Sequence, residues 1–291
     1  MIPLPRALVL ALGFYFGIPV VQISGTLQGQ TAPTDSILAI AHTLFTEASI
    51  LANQGHQDEA ESKLQRVLDI REEALGLDHP DVALTLHNLG FIYNAQGRYA
   101  EAEPLLRRAL IIREAALGPQ HLEVALTLNS LAFTYGVRSR YEEAEPLYER
   151  ALAIDEIVLG PNHLEVAHVL SNLGMLYDDL DRYIEARSVY ERVLAIRETV
   201  LGLGHPDVAD ALINLASLYH HQELYAEAIP LYRRSLDIRE VEFGPEHSDT
   251  GLALENLILA CELFFALPYI VQEQQSITAP ESMTVLCRPS P

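Results

Sequence analysis

The chain has 291 residues and a formal net charge of −21 at pH 7, and 49% of its residues are hydrophobic. This hydrophobic content is enough for a continuous core, whereas the negative charge argues against binding to nucleic acid or to an anionic lipid surface. The spacing of Cys261 and Cys287 matches no zinc site. We therefore predict no zinc site at these cysteines, and no metal or cofactor is predicted for the chain.

The chain opens on an apolar segment within residues 1–25. Arg6 gives a short positive start, and residues 7–21 are an unbroken apolar run. A run of this length suits the core of a signal peptide better than a membrane span, which needs about 20 residues. We therefore expect export to a periplasmic, extracellular or lumenal compartment. An uncleaved membrane anchor formed by residues 7–21, or a buried first helix, is the alternative.

Most of the remaining chain consists of repeats of one sequence unit. Residues 26–35 are polar, contain Gly and Pro and predict a linker. A divergent first copy covers residues 36–76, and full copies cover 77–118, 119–160, 161–202 and 203–244. A partial copy covers 245–267, and residues 268–291 form a tail without a convincing period. A fixed period of this size is typical of a stacked repeat array.

Each full copy predicts two helices. In the copy 77–118, apolar residues at three- and four-residue steps predict a helix A over about Val82–Gln96, and a helix B follows to about Leu117. Gly97 can adopt the left-handed conformation that ends helix A. The same position holds Ser139, Asp181 and Glu223 in the other full copies, so we expect less relaxed turns there.

A histidine recurs at the start of each helix A. These residues are His79, His121, His163, His205 and His247. The acid two residues later complements the positive end of the helix, and Pro80 and Pro206 suit the first helical position. Because each histidine lies one repeat away from the next, we favour a role in helix capping over metal binding.

Helix B carries Glu early and Arg late, as Glu101 and Arg113 illustrate. The late arginines recur in the copy 203–244, which carries Arg239 near the end of its helix B. This order opposes the helix dipole correctly. We expect these charged side chains to lie on a solvated face.

Several motifs resemble the tetratricopeptide repeat: Leu89-Gly90-x-x-Tyr93, Gly97-x-Tyr99-x-x-Ala102 and Ala109-Leu110. The longer 42-residue unit, with HPDVA, NLG, YAEAEPLLRRAL and IRE, looks like the kinesin-light-chain type of this repeat. The resemblance covers about residues 36–266. It implies an all-α fold, a right-handed superhelical solenoid of antiparallel helix pairs whose A helices line a concave groove. It also implies a non-enzymatic scaffold that binds an extended peptide or a partner helix in that groove.

The resemblance also implies partner-binding residues, because an Asn on helix A often holds the partner's backbone in this family. The matching positions are Asn88, Asn172, Asn214 and Asn256, with Ser130 breaking the series beside Asn129. Other groove positions from the same alignment are Leu84, His87, Phe91, Asn94, Leu126, Phe133, Met175, Asp178, Asp179, His220 and His221. The alternative is that the Asn side chains and the two Phe rings contact neighbouring helices within the stack.

The aligned groove positions are apolar in the N-terminal half and acidic in the C-terminal half, and they contain no Lys or Arg. We therefore expect a protein or peptide partner that is basic or neutral and has an apolar segment, and no nucleic acid. Asp178 and Asp179 should neighbour His220 and His221. This mix of side chains could bind a metal or respond to pH, but successive positions on a helix point apart, which favours ion pairing.

Other functions stay open at this stage. The chain could be a regulatory array for a separate effector, a self-assembling structural repeat protein or, least favoured, a metal-dependent enzyme. It contains no Gly-rich phosphate loop, nucleophile elbow or HExxH motif, so no catalytic residue is predicted. Cys261 and Cys287 could pair if the protein is exported, or remain as thiols.

Overall fold

The structure is a computed structural model that describes residues 32–267 and 285–287. The predicted signal segment 1–25 lies outside the described residues. Within them the chain forms eleven α-helices and no β-strand. The helices are α1 (Ala32–Asn53), α2 (Gln57–Leu75), α3 (Pro80–Ala95), α4 (Tyr99–Leu117), α5 (Leu122–Gly136), α6 (Tyr141–Leu159), α7 (Leu164–Asp179), α8 (Tyr183–Leu201), α9 (Pro206–His221), α10 (Tyr225–Phe243) and α11 (Ser248–Ala266).

The chain divides into two compact units, Met1–Ile154 and Asp155–Pro291, with the boundary inside α6. In the first unit α1 pairs with α2 and α3 with α4, while α2 packs on α3 and α4 on α5. In the second unit α7 pairs with α8 and α9 with α10, and α11 packs on α10. Short turns join the members of each pair, so they run antiparallel. The predicted all-α array of antiparallel helix pairs is confirmed.

The first helix begins at Ala32, four residues before the predicted start of the first repeat. Asp35 lies in its first turn, where a carboxylate favours the positive end of a helix. By length and composition alone, Thr34–Asn53 could also cross a membrane. In the array, α1 is tied to α2 by a 2.7 Å ion pair between Lys63 Nζ and Glu47 Oε2. Its buried residues are Ala41, Ala48 and Ala52.

The turns between helices A and B carry residues with positive φ. Gly97 has φ 74°, and Ser139, Asp181 and Glu223 have φ of 58°, 56° and 60°. The predicted left-handed turn is therefore confirmed in all four full repeats. A residue with a Cβ atom pays about 1–2 kcal/mol for this conformation. The last three turns are thus less relaxed than the first.

Helices A and B of one repeat approach closely at a position that holds only small residues. A Cβ atom on Gly90 would lie 2.6 Å from Leu106 Cγ, and one on Gly174 would lie 2.5 Å from Tyr190 Cε1. A Cβ atom at either glycine would require the facing side chain, Leu106 or Tyr190, to move. The equivalent residues of the other full repeats are Ala132 and Ala216. The small residue therefore sets the distance between the helices of a pair.

Ion pairs link each helix B to the next along the outside of each unit. The Arg–Glu pairs are Arg108–Glu72 (2.5 Å), Arg150–Glu114 (2.6 Å), Arg192–Glu156 (2.6 Å) and Arg234–Glu198 (2.5 Å). All are partly exposed, so each contributes at most about 1 kcal/mol. They connect successive B helices but add little to stability.

A disulfide bond joins the last helix, α11, to the C-terminal segment 285–287. Cys261 on α11 is bonded to Cys287, 26 residues later. Of the two alternatives for these cysteines, the structure shows the disulfide. The described part of the tail, residues 285–287, lies against α10 and α11 through Leu286 and Cys287.

Candidate functional site

The recurring histidine starts each helix A as its N-cap residue. In the first full repeat, His79 Nδ1 accepts a hydrogen bond from the backbone N–H of Asp81 at 3.1 Å. The same bond forms at 3.1–3.2 Å in the other copies: His121 to Glu123, His163 to Glu165, His205 to Asp207 and His247 to Asp249. The predicted capping role is confirmed. Among the residues that the structure describes, no cluster of three or more His, Cys, Asp or Glu side chains could hold a metal ion.

A buried arginine joins the end of helix B to the start of the next helix A. Arg113 is 1% exposed, and its Nη1 donates to the carbonyl of Glu123 at 3.0 Å and to Thr127 Oγ1 at 2.6 Å. Burial lowers the pKa of Arg113 to about 10, and the charge of Glu123 partly opposes this shift. The same donation is made to the carbonyl ten residues later by Arg71, Arg197 and Arg239.

The sequence analysis missed these arginine contacts. The expectation of a solvated face is wrong for Arg113 and Arg239, which are 1% and 6% exposed. The sequence did contain a sign of their burial, because these arginines recur with the same period as the apolar core residues. They are Arg71, Arg113, Arg197 and Arg239.

One repeat lacks this arginine. The equivalent residue at the end of α6 is Asp155, which is 6% exposed, and Val169 stands where other repeats have Thr85 and Thr127. Burial, and then the negative charge of Glu165, raise the pKa of Asp155 to about 7. Burial also raises the pKa of Glu165, while His163 opposes that shift. A carboxyl pair thus replaces a cationic contact at this junction.

The predicted partner-binding residues of the first unit lie on α3 and α5, and their side chains differ in solvent exposure. Asn88 is 5% exposed and donates from Nδ2 to the carbonyl of Leu84 at 2.8 Å. Asn129 is also 5% exposed. Phe133 is half-buried, and its ring lies 6.5 Å from that of Tyr99 in an edge-on arrangement. These contacts are of the kind expected for side chains that support the stack.

Two further inner positions of the first unit are buried. His87 is 6% exposed, and burial, assisted by the charge of Arg113, lowers its pKa well below the usual value. Asn94 Nδ2 donates to Thr134 Oγ1 at 2.9 Å and thereby joins α3 to α5. Leu84 and Phe91 are half-buried, and Leu126 is 39% exposed. The accessible part of this surface is therefore apolar.

The inner positions of the second unit are more polar. His221 Nδ1 lies 2.9 Å from Asp178 Oδ2, which joins α7 to α9 as the alignment predicts. Asp178 Oδ1 is buried and has no hydrogen-bond partner among the described residues. The ring of His220 lies edge-on to Tyr225 at 5.3 Å, and burial, with the charge of His221 second, lowers its pKa.

The remaining predicted positions of the second unit differ in exposure. Asn172 is 9% exposed, while Met175, Asn214 and Asn256 are half-buried. Asp179 is exposed at the end of α7. The structure thus brings Asp178 and His221 together and leaves the Asn residues spread along separate helices.

Helix pairs of similar length, crossing at a small residue and capped by the same side chains, define a tetratricopeptide-type helical repeat protein. The Tetratricopeptide repeat family model matches residues 39–110, 81–156, 123–199 and 207–263. The chain therefore belongs to the tetratricopeptide repeat family. None of the curated proteins compared with the chain matches it.

Several solved structures share the fold. The Podosopora anserina kinesin light chain with nearly identical TPR-like repeats is 24% identical over 73% of this chain and 98% of that chain, with a TM-score of 0.61. BtubC (BKLC) from P. vanneervenii is 20% identical over 90% and 96%, with a TM-score of 0.57. The apo form of RapI is 18% identical over 81% and 79%, with a TM-score of 0.64. These likenesses show that the chain shares the helical-repeat fold of these proteins.

Proposed function

We propose that the chain is a non-enzymatic scaffold whose A helices bind a protein or peptide partner. The proposal is supported by membership of a repeat family and by the accessible side chains of those helices. In the first unit Phe91 and Leu126 offer apolar contact. In the second unit Asp178 and Asp179 offer negative charge, so a partner with an apolar segment and basic or neutral residues fits both.

The observation that carries this proposal is the incomplete hydrogen bonding of Asp178. Its Oδ2 contacts His221, whereas its Oδ1 is buried without a donor among the described residues. An unsatisfied buried carboxylate oxygen is costly. A Lys or Arg side chain of a partner would reach this oxygen once the Asp178 side chain rotates toward the surface, and would then supply the missing donor as a charge-assisted hydrogen bond.

Fluorescence anisotropy with labelled peptides tests the proposal. An apolar peptide with Lys and Arg should bind more tightly than a length-matched peptide with Glu and Asp. Asp179→Lys should weaken binding of the basic peptide by about tenfold, because close like charges repel by about 1 kcal/mol or more. Glu242→Lys makes the same charge change on an exposed part of α10 and is the matched control. Tighter binding of the acidic peptide would refute the proposed partner chemistry.

A second candidate function is self-association through the last helix. Ile258 and Phe265 of α11 are 46% and 45% exposed. Repeat arrays normally present a polar outer face at their ends. Light scattering of the purified protein should show an assembly that Ile258→Glu/Phe265→Glu converts to a monomer. A monomeric wild-type protein at high concentration would remove this candidate.

We also propose that the protein is exported or membrane-anchored through residues 7–21. The Cys261–Cys287 disulfide supports an oxidising compartment, where such bonds persist. Mass spectrometry of the N-terminus of the native protein distinguishes cleavage near residue 25 from retention of the segment. Recovery of the intact chain in the soluble cytosolic fraction would contradict both forms of this proposal.

A further inference from the structure

Within residues 32–267 the last helix, α11, is not followed by a helix B. Helix B covers the face of helix A that holds the small residue, as α4 covers Gly90 and α8 covers Gly174. On α11 the equivalent residue is Ile258, and Cys261 stands where Tyr93 stands in the first full repeat. The face of α11 that meets a helix B in other repeats therefore includes Ile258 and Cys261.

Residues 285–287 lie on part of this face. Leu286 and Cys287 pack against the cluster that contains Leu257 and Phe264, which are 1% and 0% exposed. Arg233 on α10 donates from Nε at 2.8 Å and from Nη2 at 2.5 Å to the carbonyl of Leu286. The three-residue segment is thus held by a disulfide, by apolar contact and by a charged donor.

We propose that the Cys261–Cys287 disulfide is a thiol-exchange site whose redox state controls whether residues 285–287 cover the end of the array. In the oxidised protein, the segment covers part of the face of α11 that meets a helix B in earlier repeats. In the reduced protein, the segment loses its covalent link and keeps, among the described contacts, the Arg233 hydrogen bonds and the apolar packing of Leu286, so it leaves α11. The reactant is a small dithiol or a protein dithiol.

The chemistry is a two-step exchange. Cys287 is half-buried while Cys261 is 6% exposed, so the incoming thiolate attacks Cys287 Sγ. The S–S bond breaks, a mixed disulfide forms on Cys287, and Cys261 leaves as a thiolate that takes up a proton. The second thiol of the reductant then attacks the reductant sulfur of the mixed disulfide. This step releases Cys287 as a thiol. The protein gains two electrons and two protons, and the dithiol becomes a cyclic disulfide.

Hydrogen exchange of the full chain tests the cap. Dithiothreitol should speed amide exchange in the second half of α11 by about tenfold or more, since the cross-link closes a long loop and its loss frees the segment. Exchange in α3, which lies in the other unit, should not change. Intact mass confirms that reduction is complete.

Matched variants make the result decisive. Cys261→Ser/Cys287→Ser should exchange like the reduced wild type and should not respond to dithiothreitol. Arg233→Gln should respond to dithiothreitol more strongly than the wild type, because the hydrogen bonds that hold the reduced segment are weakened. Unchanged α11 exchange after complete reduction would overturn the proposal. So would two free thiols in protein purified without reductant.

The site of attack is tested separately by peptide mapping. After brief treatment with limiting glutathione and an acid quench, the mixed disulfide should lie on the peptide that contains Cys287. A mixed disulfide on Cys261 instead would refute the assigned order of attack. Peptide binding to the A helices is measured with different variants, so failure of this proposal leaves the proposed scaffold function unaffected.

Discussion

Two junctions between repeats place side chains of opposite charge type at the same buried position. Between α4 and α5, buried Arg113 donates to the carbonyl of Glu123 and to Thr127. Between α6 and α7, Asp155 occupies the place of the arginine and faces Glu165, with both carboxyl pKa values raised by burial. The first junction satisfies a carbonyl and a hydroxyl, whereas the second brings two acids together.

These two junctions show that helix A takes the same position with or without the buried arginine. The histidine cap and the following helix form at both junctions, with His121 and His163 each accepting from the N–H two residues later. Local capping and apolar packing therefore suffice to place helix A. The buried ionisable side chain at each junction, Arg113 or Asp155, is expected to contribute to stability and to its variation with pH.

The largest expected effect comes from removing the cationic contact. Arg113→Ala should lower the free energy of unfolding by about 3 kcal/mol, because it leaves a cavity and unpaired acceptors in a buried site. Denaturant unfolding followed by circular dichroism measures the change. Arg107→Ala is the control, since the side chain of Arg107 is 50% exposed. Equal losses in the two variants would show that burial of Arg113 does not matter.

The second effect is a pH dependence specific to the α6–α7 junction. The native state holds a proton on Asp155 up to pH of about 7, while the unfolded chain releases it near pH 4. The contribution of Asp155 to stability therefore falls as pH rises between these values. Asp155→Asn should remove this fall and stabilise the protein at pH 8 by about 1–2 kcal/mol. Melting temperatures from pH 4 to 8 report it, with Glu149→Gln on the exposed side of α6 as control.

A smaller effect should follow from rebuilding the missing contact. In an Asp155→Arg background, Val169→Thr should add about 1 kcal/mol, because the hydroxyl would accept from the new guanidinium as Thr127 accepts from Arg113. The same Val169→Thr change in the wild type should destabilise, since no donor meets the hydroxyl. A double-mutant cycle from chemical unfolding gives the coupling. Additive changes would mean that the introduced arginine takes another conformation.

The smallest effect is expected on the outside of the array. Arg150→Ala removes a partly exposed ion pair with Glu114 and should cost about 0.5 kcal/mol. Raising the salt concentration should reduce this cost, because salt screens exposed charges. Thermal unfolding at low and high salt measures both. A loss comparable to that of Arg113→Ala would show that the outer ion pairs carry the junctions.

The fold followed closely from the sequence because its determinants are local. The His79 cap, the Gly97 turn and the apolar steps of α3 each act within a few residues, and all three appear in the structure. The buried arginines could not be assigned by residue type, since an arginine near a helix end is usually solvated. Only their repetition in register with the core distinguished them.

The candidate binding surface was less predictable, because burial depends on packing between repeats. Asn88 matches the family position, yet its amide is 5% exposed and bonds to its own helix. Asp178 and His221 were predictable as neighbours because they lie about one period apart. The roles of all these residues in partner binding remain predictions.

The crossing of helices at a small residue has a consequence for protein engineering. All four full repeats hold Gly or Ala where helices A and B approach, as Gly90 does against Leu106, whereas the fifth copy carries Ile258 at that position. A second helix fused after α11 would collide with this side chain. Lengthening the array by concatenation would therefore require Ile258→Gly or Ile258→Ala before any new module could dock.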